Sequence, residues 1–249
     1  MLKFMDYNTV INAIEKDIKE HQTKMVVRNR NSISLRPLIY NCIREVYFEI
    51  HDCERKPPED IEFAKTYYWT APIGDALHQR IQFLMGLEGQ EYTEKLITFE
   101  AFAPALYVRS KCDGIDLRDR NNIILYEFKT KDKMPDKPYH EELLQNLLSV
   151  FFFRKGFKLD IKGSSMVYIN RKDPYDIRFY NYDFFDKKSN IYLDVGAELS
   201  ETFDKIQELL AYMKEGCPPP MTSKYIKTMA FGKSKCKDCP YRGVCSVLP

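Results

Sequence analysis

The segment that decides the fold is a short apolar run that ends in two charges, Ile123-Ile124-Leu125-Tyr126-Glu127-Phe128-Lys129. Successive side chains alternate between the two faces of a β-strand, so Glu127 and Lys129 point to the same face. The run is apolar on both faces up to Glu127, which predicts a buried strand with two costly charges at the rim of its sheet. Taken alone, this Glu-x-Lys pair is also typical of a surface ion pair at a strand end.

The preceding segment supplies a partner for this pair. If residues 105–115 form a strand, Tyr107, Arg109, Lys111 and Asp113 share one face. If the two strands are neighbours, Asp113 and Glu127 converge beside Lys129. Two carboxylates can hold Mg²⁺ or Mn²⁺ through hard oxygen ligands, the ion activates water and polarises a phosphoryl oxygen, and a lysine can position that water. The set therefore indicates metal-assisted hydrolysis of a phosphodiester.

The spacing of apolar residues predicts an α/β fold with one mixed sheet. Three- and four-residue spacing predicts helices over residues 5–20, 34–50 (with Cys42 on the helix), 69–87, 139–155 and 192–215. The third helix has an apolar face that consists of Ile73, Leu77, Ile81 and Leu84. Short β-branched and aromatic runs predict strands over residues 95–103, 105–115, 122–130, 165–170 and 176–182, the first three as an antiparallel meander.

Composition excludes several classes of protein. The chain has 249 residues, with 38 Lys and Arg against 36 Asp and Glu, which excludes a histone-like basic protein and an acidic disordered tail. Apolar residues make up 44%, as in an ordinary folded domain. The longest uncharged apolar stretch, Leu147 to Phe153, is far shorter than the about 20 residues that span a bilayer. With no hydrophobic signal peptide after Met1, we expect a cytoplasmic protein that is not bound to a membrane.

Three of the seven cysteines form a C-x2-C-x5-C run, Cys236, Cys239 and Cys245. In an intracellular protein such a cluster binds metal more often than it forms disulfides. Zinc sites usually have a second cysteine pair or two histidines, whereas four cysteine ligands are typical of a cubane iron–sulfur cluster. Cys42 is the candidate fourth ligand, Cys53 is its rival, and zinc in the same site is an alternative.

Four pieces of this sequence together resemble the RecB-type nucleases of the PD-(D/E)XK superfamily. In order, they are Gly74-Asp75-Ala76-Leu77-His78, Lys111-Cys112-Asp113-Gly114, Tyr126-Glu127-Phe128-Lys129-Thr130 and Gln145. The resemblance implies a restriction-endonuclease-like core with a central mixed sheet flanked by helices. It also implies that His78, Asp113, Glu127 and the backbone carbonyl of Phe128 ligate the catalytic Mg²⁺ or Mn²⁺. A histidine beside an apolar helical face is, by itself, more typical of a hydrogen-bonded core residue.

The resemblance assigns two further roles. Lys129 would serve the attacking water, and Gln145 would match the glutamine of the family's Q-x-x-x-Y motif, which helps to hold the site or the DNA backbone. The chain departs from the family pattern at two positions. Ser149 stands where the motif has tyrosine, and Ser110 stands where the family has glycine three residues before Asp113.

The cysteines extend the resemblance to one branch of the family, the CRISPR-associated RecB-like exonucleases and their viral relatives. In that branch a 4Fe–4S cluster joins the N-terminal helices to the C-terminal tail, and here Cys42, Cys236, Cys239 and Cys245 would hold it. The resemblance implies one nuclease domain over residues 1–249. Its nuclease core would cover about 69–216, and its iron–sulfur subdomain about 34–50 and 217–249.

Together these patterns predict a metal-dependent DNA nuclease, an exonuclease that acts on DNA ends or single strands. DNA is the predicted partner, with CRISPR integration proteins as candidate partners. The alternative is a non-catalytic iron–sulfur protein that binds nucleic acid or a partner protein during CRISPR spacer acquisition.

Overall fold

The structure, a computed structural model, describes residues 12, 16, 32–40, 42–51, 53, 61–94, 97–100, 107–173, 175–186, 192–220, 239 and 241–245. The predicted first helix, residues 5–20, lies outside this part of the chain except at Asn12 and Lys16, which are both helical. Cys236 also lies outside it. Within the described ranges, no helix is both long enough and apolar enough to cross a membrane.

Helices and strands follow one another in the predicted α/β order. The helices are α1 (Leu35–Tyr40), α2 (Ile43–Ile50), α3 (Ile61–Leu84), α4 (His140–Phe157), α5 (Tyr192–Glu215) and α6 (Arg242–Cys245). The strands are β1 (Ser32–Ser34), β2 (Ile97–Glu100), β3 (Tyr107–Ser110), β4 (Gly114–Asp116), β5 (Ile123–Lys131), β6 (Ile161–Asn170) and β7 (Ile177–Asp183).

The central sheet has four strands in the order β4-β5-β6-β7. Strands β5 and β6 are parallel, whereas β4 and β7 pair antiparallel with their neighbours, so the prediction of a mixed sheet is confirmed. The prediction that all strands share one sheet is wrong, because β1, β3 and β2 form a separate three-stranded sheet. The predicted strand 105–115 accordingly divides into β3 and β4, which pair in different sheets. The alternation of faces that was predicted from Tyr107 to Asp113 therefore stops before Asp113.

Both faces of the central sheet are covered by helices. On β6, Met166 and Tyr168 pack against Leu147 of α4, whereas Val167 lies on the other face with Phe128 and the apolar residues of α3. This arrangement explains why β5 and β6 are apolar on both faces. Strand β6 begins four residues earlier than predicted, because Lys162-Gly163-Ser164 has little β-propensity.

Helix α3 presents only part of its predicted apolar face to the sheet, since Leu77 and Ile81 pack there as predicted. It begins at Ile61 rather than Trp69, and Ile73 and Leu84 are 51% and 62% exposed, so their assignment to the apolar face was wrong. Gly74 is buried instead. A Cβ atom at Gly74 would lie 3.2 Å from Thr130 Oγ1, which shows how closely α3 approaches β5. This close approach brings the next turn of α3, with His78, to the sheet.

The predicted helix over residues 34–50 is interrupted, and Cys42 lies in the interruption rather than on the helix. Cys42 has an extended backbone (φ −71°, ψ 158°) and is the N-cap of α2. Its Sγ accepts a hydrogen bond from the Glu45 N–H at 3.3 Å, as the side chains of capping residues do. The thiol is thus fixed at the start of α2.

Helix α2 packs against the C-terminal part of the chain. Arg44 is 1% exposed and donates hydrogen bonds to the carbonyl oxygens of Pro219 (2.9 Å) and Cys245 (3.3 Å). The rings of Phe48 and Tyr241 lie 5.9 Å apart. The described part of the C-terminal segment is therefore joined to α2 through a buried cation and apolar contacts.

Candidate active site

Asp113 lies in a bend immediately before β4, beside the end of β5. The two strands pair antiparallel with Gly114 opposite Tyr126, so they are neighbours as predicted. Asp113 Oδ2 accepts a hydrogen bond of 2.7 Å from the Phe128 N–H. The backbone of β5 thereby fixes the Asp113 carboxylate next to the Glu-x-Lys segment.

Glu127 is held through one of its two oxygens. Oε1 accepts hydrogen bonds from Lys129 Nζ at 2.6 Å and from Gln145 Nε2 at 2.9 Å. Oε2 is buried and has no hydrogen-bond partner in the part of the chain that the structure describes. Because an unsatisfied buried acceptor costs about 1–3 kcal/mol, this oxygen marks a place where a cation would be favourable.

His78 reaches Asp113 from α3, on the opposite side of the sheet from Glu127 and Gln145. Its Nδ1 lies 4.0 Å from Asp113 Oδ2, and its ring centroid lies 5.7 Å from that of Phe128. Its Nε2 is a second buried atom without a hydrogen-bond partner. Burial and the charge of Lys129 lower the pKa of His78, which favours the neutral form that a metal ligand requires.

The site has more acidic side chains than basic ones. Burial raises the pKa of Asp113 to about 6 and that of Glu127 to about 7, although the charge of Lys129 opposes both shifts. Burial alone would lower the pKa of Lys129, but the charges of Glu127 and Asp113 raise it above its ordinary value. Lys129 is therefore an ammonium ion at neutral pH. A further positive charge would restore the carboxylates to their ionised forms.

The donor set of this site fits a divalent cation. It offers carboxylate oxygens and a neutral imidazole, and two of these atoms, Glu127 Oε2 and His78 Nε2, are buried without a hydrogen-bond partner among the described residues. Across the described ranges, however, no three His, Cys, Asp or Glu side chains are already grouped so that they could hold one metal ion. Binding through His78, Asp113 and Glu127 together would require these side chains to move towards one another.

Two residues that the sequence analysis missed also contact this site. Gln82 Nε2 donates to the Asp113 carbonyl oxygen at 2.5 Å and to Glu94 Oε1 at 2.6 Å. Gln82 lies four residues after His78 on α3, so the spacing of one helical turn could have indicated it. Glu94 follows no periodic pattern and had no such signal.

The two positions that depart from the family pattern lie against each other. The Ser110 hydroxyl donates to Ser149 Oγ at 3.4 Å, and both side chains are buried. Position 149 therefore faces β3 in the interior of the protein rather than solvent. This placement gives Ser149 a packing role.

Three of the four predicted cluster cysteines are described, and they lie in one region. Burial, with smaller contributions from Glu45, Cys42 and Cys245, raises the pKa of Cys239 to about 11. Burial likewise raises the pKa of Cys42. These thiols are thus protonated at neutral pH unless a metal takes the place of the proton.

Cys53 lies at the other end of α2 from Cys42. Eight residues of helix separate the two cysteines, a length of about 12 Å. Burial and the charges of Cys217 and Cys53 raise the pKa of Tyr47, so both of these cysteines lie near the Tyr47 ring.

The fold and the site together define the class of protein. Two acids and a lysine that come together on a mixed α/β sheet are a set of side chains that metal-dependent hydrolases use. The sequence model of the PD-(D/E)XK nuclease superfamily matches residues 38–246, and the chain belongs to this superfamily. Membership implies a metal-dependent nuclease that binds DNA, since PD-(D/E)XK nucleases generally use Mg²⁺ or Mn²⁺.

Solved structures share the fold. The crystal structure of SSO0001 is similar to this chain, with a TM-score of 0.54 and 19% sequence identity over 98% of this chain and 100% of that chain. At this identity, the likeness shows the fold alone. No curated protein matches the chain.

The raised carboxylate pKa values predict how the stability of the metal-free protein depends on pH. Asp113 and Glu127 bind protons more tightly in the folded chain than in the unfolded chain. Their contribution to stability is full below about pH 4 and is lost as the pH rises through about 6 to 7. Relative to the wild type, Asp113→Asn should therefore gain roughly 1–2 kcal/mol of unfolding free energy between pH 5 and pH 8.

Urea unfolding in EDTA at the two pH values measures this gain. Adding Mg²⁺ at pH 8 should stabilise the wild type and leave Asp113→Asn unchanged. If the difference between the two proteins is the same at both pH values, Asp113 does not carry a raised pKa.

Proposed function

We propose that this chain is a DNA exonuclease whose Mg²⁺ or Mn²⁺ is held by His78, Asp113, Glu127 and the main-chain carbonyl of Phe128. The observation that carries the proposal is the state of Glu127. One of its oxygens is locked by Lys129 and Gln145, whereas the other is buried without a partner beside Asp113. A carboxylate held in this way is oriented for a ligand that the protein itself does not supply.

Each side chain of the site has a distinct task in this proposal. The bound cation supplies Lewis-acid polarisation of the phosphate and a lower pKa for its water. Gln145 and Lys129 orient Glu127, and the Phe128 N–H orients Asp113. Lys129 is 20% exposed, so its ammonium can also reach the phosphate or the attacking water from the buried strand. His78 contributes a neutral nitrogen donor from α3.

The test of this function is the degradation of DNA by the purified chain. We expect linear single-stranded DNA to be degraded with Mg²⁺ or Mn²⁺, no cleavage in EDTA, and at least about 10-fold slower cleavage of closed circular DNA of the same sequence. Equal rates on linear and circular DNA would show an endonuclease. Binding of DNA without cleavage in either metal would favour the non-catalytic alternative.

We further propose a 4Fe–4S cluster that is held by Cys42, Cys236, Cys239 and Cys245. Support comes from the position of Cys42 at the N-cap of α2, two residues before Arg44, which donates to the Cys245 carbonyl oxygen at 3.3 Å. Cys42 and Cys245 also lie near enough to Cys239 to affect its pKa. The backbone N–H of Glu45 points at the Cys42 sulfur, as is favourable for a ligating thiolate. The position of Cys53 beyond the far end of α2 favours Cys42 as the fourth ligand.

The proposed setting is the cytoplasm, where the nuclease would act with CRISPR integration proteins. Its support is the resemblance of the cysteine run to the CRISPR-associated branch of the family. Co-purification of the tagged chain with the integration proteins of its own cell tests this setting. If the gene for this chain lies in a virus or on a chromosome that encodes no CRISPR integration proteins, the proposed setting is wrong.

A further inference from the structure

Gln82 is a buried polar side chain that connects α3 to the site. It is 4% exposed and lies one turn after His78 on the same face of the helix. A side-chain amide has two N–H donors, and Nε2 of Gln82 uses both. One goes to the carbonyl oxygen of Asp113 at 2.5 Å, the other to Glu94 Oε1 at 2.6 Å.

Glu94 is itself held from several directions. Its Oε2 pairs with Lys111 Nζ, and its backbone N–H donates to the Cys112 carbonyl oxygen at 3.0 Å. The backbone is left-handed at Tyr92 (φ 77°) and at Glu94 (φ 54°), a conformation that non-glycine residues adopt only where their surroundings impose it. The segment is thus bent so that the Glu94 carboxylate meets Gln82 beside Asp113.

Asp113 is consequently fixed at two points. The Phe128 N–H holds its carboxylate, and Gln82 holds its backbone carbonyl. The bond from Gln82 also ties the helix that carries His78 to the residue that His78 faces at 4.0 Å. Ligands of a metal ion need such support, because a shift of about 0.5 Å in one ligand already weakens a site.

We propose that Gln82 and Glu94 are positioning residues, which set the position of Asp113 relative to His78 for binding of the divalent cation. This inference rests on the proposed function, since it assumes that Asp113 and His78 are ligands. Gln82 acts through the Asp113 backbone, and Glu94 acts by fixing the Gln82 amide. Neither residue contacts the cation.

The test is binding of Mn²⁺ alone to the full chain, followed by electron paramagnetic resonance in the absence of DNA. Gln82→Met keeps the length of the side chain but removes both donors, and we expect it to weaken Mn²⁺ binding about 10- to 100-fold. Gln90→Met is the matched control. Gln90 anchors the same segment by accepting from the Leu117 N–H at 2.9 Å and donating to the Gly86 carbonyl oxygen at 3.1 Å, away from Asp113.

Two substitutions of Glu94, whose side chain is partly exposed, provide a second test. Glu94→Gln keeps an oxygen that accepts from Gln82 and should bind Mn²⁺ within about threefold of the wild type. Glu94→Ala removes this acceptor and should bind about 10-fold more weakly. This pair keeps the inference testable if Gln82→Met does not fold.

The possible results of these experiments distinguish the positioning role from the proposed function on which it rests. If Gln82→Met and Glu94→Ala bind Mn²⁺ as the wild type does, the positioning role is overturned and the metal site stands. If Gln90→Met weakens binding as much as Gln82→Met, the effect is one of general stability and the positioning role is again overturned. If the wild type neither binds Mn²⁺ nor cleaves DNA, the proposed function itself fails.

Discussion

Lys129→Met is expected to lower the rate of DNA cleavage by about 10²- to 10⁴-fold at saturating Mg²⁺ and DNA. The ammonium of Lys129 lies 2.6 Å from Glu127 Oε1, at the point where the buried strand opens to solvent. Its removal takes away the group that is proposed to serve the attacking water. It also removes the positive charge that opposes the rise in the pKa of Glu127, so less of this carboxylate is ionised. Single-turnover kinetics measures the chemical step directly.

Lys131→Met is the matched control for this variant. Lys131 lies two residues later on the same face of β5 and also forms an ion pair, to Glu142 Oε1 at 2.7 Å. It lacks any contact with Glu127 among the described hydrogen bonds, so its loss should change the rate by less than about threefold. Equal losses in both variants would show that positive charge along the strand matters rather than Lys129. An undiminished rate in Lys129→Met would remove Lys129 from the mechanism.

Cys42→Ala is expected to abolish the iron–sulfur cluster. Anaerobically purified wild type should be brown and contain about four iron atoms per chain, and the variant should contain fewer than about one. Because the cluster would join α2 to the C-terminal segment, its loss should lower the melting temperature by roughly 10 °C or more. For a chain of this size, such a shift corresponds to about 3–5 kcal/mol of unfolding free energy.

Cys53→Ala is the control for the cluster, because it removes a cysteine from the other end of the same helix. We expect its iron content to equal that of the wild type. Loss of iron in Cys53→Ala with full iron in Cys42→Ala would make Cys53 the fourth ligand. A colourless wild type with about one zinc per chain would replace the iron–sulfur assignment with a zinc site.

The parts of the fold that follow from local sequence were predictable. Strand β5, with its apolar faces and its terminal acid and lysine, and helix α5 lie where periodicity places them. Strand β1 was not predictable, because three residues have no period and its partner β3 lies 75 positions further along the chain. The N-cap at Cys42 gave no signal either, since capping is usually carried by Ser, Thr, Asp or Asn.

In the site, too, the residues that neighbouring sequence indicates were predicted, whereas contacts between residues far apart in the chain were not. Glu127 and Lys129 could be brought together from strand alternation. Asp113 could be placed beside them only from the order of neighbouring strands, because the alternation predicted from Tyr107 stops before it. The bonds of Gln82 cross 12 and 31 positions of sequence to Glu94 and Asp113, and such contacts depend on how the helix is rotated against the sheet. The predicted apolar face of α3 was wrong at Ile73 and Leu84, and it gave no indication that Gln82 is buried.

The hydrogen bond from Arg44 to the carbonyl oxygen of Cys245 spans 201 positions. On a ribosome that adds about 5–20 residues per second, α2 leaves the exit tunnel about 10–40 s before its last partner does. During this interval the guanidinium and the apolar side chains around it have no native neighbours at the C-terminal end. The contacts of α2 with residues 219 and 245 therefore form only after this stretch has been translated, and until then the apolar surface of α2 is exposed to aggregation.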